Sequence, residues 1–145
     1  MMIGLAFLIF IILTAVAILH VYWAFGGKWP GHDEPSLTRM VVGTKGKTTM
    51  PARGPTLVVA TMIFGAGIIA LMQASVFPSL LPPALRTTAV IGLAALFLAR
   101  GAVGFTPLFR HVQAEEPFVT LNRRIYGPLC LALGIGFGAL VVCHS

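Results

Sequence analysis

Charge is scarce in this chain of 145 residues, and acidic charge is scarcer still. Charged residues make up 10%, and only four of them are Asp or Glu. An average globular protein carries roughly 25% charged residues, so a surface this poor in charge would not keep a folded body dissolved. Cysteine is nearly absent too. Cys130 and Cys143 stand near the two ends of the last apolar run, roughly 20 Å apart on one helix, too far for a mutual disulfide. They read as small apolar side chains. The four histidines, His20, His32, His111 and His144, form no HxxxH pair. His32, Asp33 and Glu34 are adjacent in a loop, and His111 with Glu115 lies between Pro107 and Pro117, which leave room for only a short helix. We therefore expect no metal centre and no cofactor. No nucleophile stands beside a base in a recognisable pattern, so no catalytic residue is assigned.

What the chain does have is hydrophobic length. Apolar residues reach 57%, mean hydropathy is +0.93, and four runs approach the roughly 20 helical residues that cross a hydrocarbon core. They fall at about 3–25, 56–76, 83–105 and 125–143. Turn-forming residues separate them: Gly26, Gly27 and Pro30; then Pro78, Pro82 and Pro83; then Pro107 and Pro117. The expected fold is all-α, a four-helix transmembrane bundle forming one integral membrane domain over 1–145, with a long loop at 26–55. Ala15-Val16-Ala17 imitates a signal-peptidase site. Yet no basic residue precedes the first run, which continues past that point, so this span is expected to be retained.

Basic residues orient the bundle. Lys28, Arg39, Lys45, Lys47 and Arg53 lie between the first two spans, and Arg100, Arg110, Arg123 and Arg124 lie around the link between the last two. Of the ten Lys and Arg, only Arg86 falls on the other side. The positive-inside rule puts both long loops in the cytoplasm and both termini outside it, in a multi-pass protein of the inner (plasma) membrane. The net charge of +6 then fits anionic lipid headgroups as partners, and nucleic acid is not expected. Small residues recur at four-residue spacing, Ala66, Ala70 and Ala74 in the second span and Gly134 and Gly138 in the fourth. Such rows let helices approach closely, either within one chain or in a homo-oligomer.

The loop holds Gly43-Thr44-Lys45-Gly46-Lys47-Thr48-Thr49, which resembles the phosphate-binding loop of the Mur ligase and folylpolyglutamate synthase families. In those families backbone amides cradle phosphate, and Lys47 and Thr48 would meet the terminal phosphates and magnesium. The full pattern wants Gly at position 41, where Val41 stands. Pro51, Gly54 and Pro55 are expected to stop any following helix within about one turn. The stretch reads as a solvated basic loop near headgroups.

Ionisable groups in or beside a span are costly and mark candidate sites. His20 and Trp23 lie at the loop end of the first span, Arg100 toward the same end of the third, and Asn122, Arg123, Arg124 and Tyr126 at the entry to the fourth. Taken singly, Trp23 and Tyr126 are ordinary interfacial aromatics and Arg123 and Arg124 ordinary snorkelling anchors. His20 and Arg100 sit among apolar neighbours and need partners or a ligand. These seven form the candidate ligand-binding set.

The same segments carry a resemblance. His20 to Gly27, Arg100 to Phe105, Pro117-Phe118 and Leu121 to Cys130 are similar to small bacterial membrane proteins grouped only as a domain of unknown function. The resemblance covers nearly the whole chain outside the first loop. It implies four helices and brings no activity. The reading that follows is a binding protein for an anionic lipid or small anionic ligand at the cytoplasmic face. The alternatives are a membrane-embedded enzyme with His20 as acid or base, and an oligomeric transporter or channel using Thr14, Thr61 and Gln73.

Overall fold

A computed structural model describes residues 1–112 and 115–144. In chain order its helices are α1 (Met2–Ala24), α2 (Glu34–Val41), α3 (Arg53–Gln73), α4 (Pro83–Val103), α5 (Pro107–Val112) and α6 (Phe118–Leu121). A π-helical turn (Asn122–Tyr126) then leads into α7 (Gly127–His144). Among the described residues there is no strand. Four helices are long and apolar enough to cross a membrane: α1, α3, α4 and the continuous run Phe118–His144. The 23 residues of α1 extend about 35 Å, enough for a hydrocarbon core of about 30 Å.

The core is assembled from small and large residues at helical spacing. Ala6, Ile9 and Leu13 come from α1, Ala66 and Ala70 from α3 with Ala74 capping its end, Val90 and Ala94 from α4, and Leu133, Phe137 and Leu140 from α7. Spacings of three and four put each set on one face of its helix. α1 pairs chiefly with α3 and α4 with α7, and the two pairs close on one another. Phe137 stacks on Phe97 with ring centroids 5.7 Å apart. Large apolar side chains point outward instead, among them Ile11, Ile18, Met62, Leu96, Ile135 and Val142. Alanine inside and isoleucine outside suits helices whose outer solvent is lipid. The alanine row of α3 is buried within the chain. In α7, Gly134 lies against Leu98, while the space beside Gly138 is open.

Three expectations need correction. The second span begins at Arg53, and Gly54 and Pro55 lie inside its first turn. The first amides of a helix have no intrahelical acceptor, so a proline there loses nothing; these residues open a span rather than abort one. The fourth span starts at Phe118, directly after Pro117, rather than near 125. Finally, the 26–55 segment, expected as a loop, carries a helix of its own. Asp33 and Ser36 form a capping box with Pro35 in the first turn, starting a helix whose Leu37 and Thr38 are buried.

At the far end of the bundle, where α3 finishes, buried Gln73 accepts a hydrogen bond from Arg86 Nε at 3.1 Å. Arg86 Nη2 also meets His144 Nε2 at 3.3 Å, which joins the ends of α3, α4 and α7.

Candidate ligand-binding site

α1 ends in a turn closed by two backbone bonds, Gly26 N–H to Trp23 O at 3.0 Å and Gly27 N–H to Tyr22 O at 2.9 Å. This is the paired closure that satisfies a helix's last carbonyls. The chain then doubles back. The Trp23 indole N–H donates to Trp29 O at 2.8 Å, and Trp29 N–H donates to the Tyr22 hydroxyl at 3.3 Å. His20, one turn below, places Nδ1 2.8 Å from Val16 O. A carbonyl only accepts, so in this contact Nδ1 is the donor. The imidazole lies 5.1 Å from the Trp23 ring. Arg53, opening α3, donates from Nε to Ala24 O at 3.2 Å and sets its guanidinium 5.0 Å over the Phe25 ring. Neither contact neutralises its charge.

Between these elements lies a cleft made of two adjoining hollows, both partly open, the outer at the loop end of α1 and the inner about one turn further along it, beside His20. The outer one, about 350 Å³, is lined by residues that include Trp23, Gly27, Lys28, Glu34, Met50 and Arg53. The inner one, about 190 Å³, has His20, Val41, Val42, Pro55 and Val59 in its walls. Trp23, Met50 and Pro51 line both. The outer compartment thus carries two cations and one carboxylate, and that carboxylate is engaged: Glu34 Oε1 accepts from Met50 N–H at 3.0 Å. The inner compartment is apolar except for the His20 ring and Thr56, whose hydroxyl bonds to Ala52 O at 2.9 Å. Asp33, at the start of α2, has its carboxyl held below the ordinary range, first by the Ser36 backbone N–H and then by the Ser36 hydroxyl.

A second polar cluster sits on the α4 side. Arg100 Nη1 donates to Asn122 Oδ1 at 3.2 Å, and its guanidinium lies 5.3 Å over the Phe109 ring. Asn122 is 1% exposed, and its Nδ2 donates to Gly104 O at 3.2 Å. Any side chain at Gly104 would run into that amide nitrogen. The π-helical turn that begins at Asn122 carries Tyr126, whose hydroxyl donates to Met40 O at 3.0 Å. Phe118 packs 5.7 Å from the Tyr126 ring and fills the space beside Gly43, where φ is +68° and a Cβ would collide with it.

The seven candidate residues therefore divide. His20 and Trp23 share the cleft. Arg100, Asn122 and Tyr126 belong to the α4 side, and they are not among the residues lining either compartment. Arg123 and Arg124 are exposed and border an open hollow with Phe105 and Thr120. Sequence reasoning missed Lys28, Met50 and Arg53 as cleft residues, and α2 altogether. The signal for α2 was present, since Asp33 followed by Pro35 and Ser36 is a helix-start pattern. The Gly-Lys-Thr stretch is committed elsewhere. Gly43 lies under Phe118, and Gly46 N–H donates to Glu115 Oε1 at 3.2 Å, so a carboxylate of the chain itself meets the amide that a phosphate would need.

The family described as "Protein of unknown function (DUF3995)" matches residues 13–137. The chain belongs to this family. The match starts within α1, ends within α7 and takes in both polar clusters, in agreement with the resemblance carried by the three segments around His20, Arg100 and Asn122. No curated protein and no solved structure matches the chain. This DUF3995 chain thus has a fold suited to a membrane, a cleft at one end and a polar latch beside it.

Proposed function

We propose that the protein binds an amphiphile with an anionic headgroup in the cleft between α1, α2 and α3. One observation carries this reading: a hollow lined by Lys28 and Arg53 and a mainly apolar hollow share Trp23, Met50 and Pro51 in their walls. Lys28 and Arg53 would face the headgroup, and Val41, Val42, Pro55 and Val59 the first part of a chain. His20 Nε2 would meet a hydroxyl or other polar group at the junction. In this reading the cleft opens toward the cytoplasm, because the loops that form it carry most of the basic residues. The termini then lie outside, and Arg123 and Arg124 rest against anionic headgroups as anchors. The enzymatic alternative has less support: among the described residues, no carboxylate and no thiol line the compartment that holds His20. The transporter alternative rests on Thr14 alone, whose buried hydroxyl has no hydrogen-bond partner among the described residues, since Thr61 is satisfied by Leu57 O of its own helix and Gln73 by Arg86.

Native mass spectrometry of the purified protein in an uncharged detergent tests the proposal, with lysophosphatidylglycerol and lysophosphatidylcholine as probes. The anionic lysolipid should be retained, the zwitterionic one much less, and a Lys28→Gln, Arg53→Gln variant should lose the difference. Equal retention of both probes by wild type and variant would reject it.

A further inference from the structure

We infer that α2 is the lid of this cleft and that Tyr126, although outside the cleft, is the positioning residue that fastens it. The inference rests on the cleft being a ligand site. It begins from what α2 contributes: Glu34 and Leu37 to the outer compartment, and Val41, with Val42 just beyond it, to the inner one. An eight-residue helix has little stability of its own, so its position over the cleft depends on the burial of Leu37 and Thr38 in its middle and on what holds its ends.

Its first turn is tied within the loop, through the Asp33–Ser36 cap and the bond from Met50 N–H to Glu34. Its last turn is tied to the α4–α7 side of the molecule. Met40 O is one of the carbonyls that a helix leaves without an internal donor, and the Tyr126 hydroxyl supplies that donor at 3.0 Å. Just beyond, Gly43 O accepts from Glu115 N–H at 3.2 Å, Gly46 N–H donates to Glu115 Oε1 at 3.2 Å, and the Phe118 ring fills the space beside Gly43.

The phenol reaches Met40 because the π-helical turn presents it there. That turn is in turn pinned by Asn122, which holds Arg100 and the Gly104 carbonyl together. Arg100, Asn122 and Tyr126 thus act on the cleft without lining it. This gives a physical reason for two polar clusters that share no cavity to serve one site: one lines it and the other closes it. Releasing the phenol frees the end of α2 over the apolar compartment, while α1 and α3, held by the core, stay in place.

Tyr126→Phe tests this, because it removes the hydroxyl and keeps the ring against Phe118. The full chain is placed in nanodiscs of zwitterionic lipid, and amide hydrogen exchange is followed without added ligand. Losing one hydrogen bond should speed exchange in α2 about fivefold and leave α1 and α3 unchanged. Uptake and release of lysophosphatidylglycerol should both quicken by a similar factor, with Kd within about twofold of wild type. A merely structural role would instead lower affinity and melting temperature together. Should Tyr126→Phe not fold, Phe118→Leu, which shrinks the wedge at Gly43, gives the same two readouts. Unchanged α2 exchange, or faster exchange spread evenly over all spans, would overturn the fastening. If α2 exchange rises while wild type takes up no lysolipid, the fastening stands and the ligand reading of the cleft falls.

Discussion

Arg100 and Asn122 lie on different spans and meet at 3.2 Å, and the same asparagine donates to the Gly104 carbonyl one turn along α4 from Arg100. A single buried amide thus satisfies an arginine and a helix-end carbonyl at once. It fits only because residue 104 has no side chain. This three-residue latch sets where span four begins its course and where the π-helical turn presents Tyr126.

The latch should show strong non-additivity. Gly104→Ala pushes a methyl group onto the Asn122 amide and should cost about 1–3 kcal/mol. Asn122→Ala strands Arg100 and the Gly104 carbonyl and should cost about 1–3 kcal/mol. The double variant should cost clearly less than the two together, because the alanine at 122 vacates the space the new methyl needs. Thermal melts of the four proteins in one detergent give the comparison, and simple additivity would count against the latch.

At the other end of the bundle, Arg86→Met leaves the buried Gln73 oxygen without its donor and should destabilise by about 1–3 kcal/mol. Adding Gln73→Leu removes the stranded group and should recover most of that loss. A double variant no better than the single one would mean that Arg86 acts by some route other than this hydrogen bond.

Nucleotide should not bind the Gly-Lys-Thr stretch. Gly43 is committed to Phe118 and the Gly46 amide to Glu115, so Lys47→Ala should leave melting temperature and lysolipid retention unchanged. Magnesium-ATP should give no saturable shift in either protein. A saturable shift that Lys47→Ala removes would restore the phosphate-loop reading.

The start of α2 should loosen in acid. The Asp33 carboxyl is held below its ordinary value of about 3.8 by Ser36, so its contribution is complete above that value and fades as pH falls through the lower folded-state value. The Ser36 amide resonance should therefore titrate with a midpoint below 3.8. Asp33→Asn, which keeps a capping side chain, should abolish the titration. A midpoint at or above 3.8 would mean the cap is not formed.

The four spans were legible because run length alone identifies them, and the loop-end depth of His20, Arg100 and Asn122 followed from position along those runs. Direction around the helix was not legible. α1 is apolar on every face, so a sequence of that kind fixes how deep His20 lies and not which neighbour it meets. The span ends slipped where prolines were read as stops: Pro55 and Pro117 instead open helices, one inside the first turn and one just ahead of it. α2 was missed because an eight-residue helix in a charged loop is too short for hydrophobic periodicity to register. Arg53 was counted as a topology marker, and only folding brings it back over the end of α1.

The central claim is that the cleft holds an anionic amphiphile against Trp23, and brominated fatty acid quenching of that residue tests it most directly. In a Trp29→Phe background Trp23 is the remaining indole, and its fluorescence is followed in zwitterionic nanodiscs as a bromostearate is added. The account expects saturable quenching that Lys28→Gln, Arg53→Gln shifts to higher concentration and that unbrominated stearate reverses by competition. Quenching that rises linearly with the fatty acid content of the membrane, and identically in the variant, would contradict it and leave Trp23 an ordinary residue of the membrane interface.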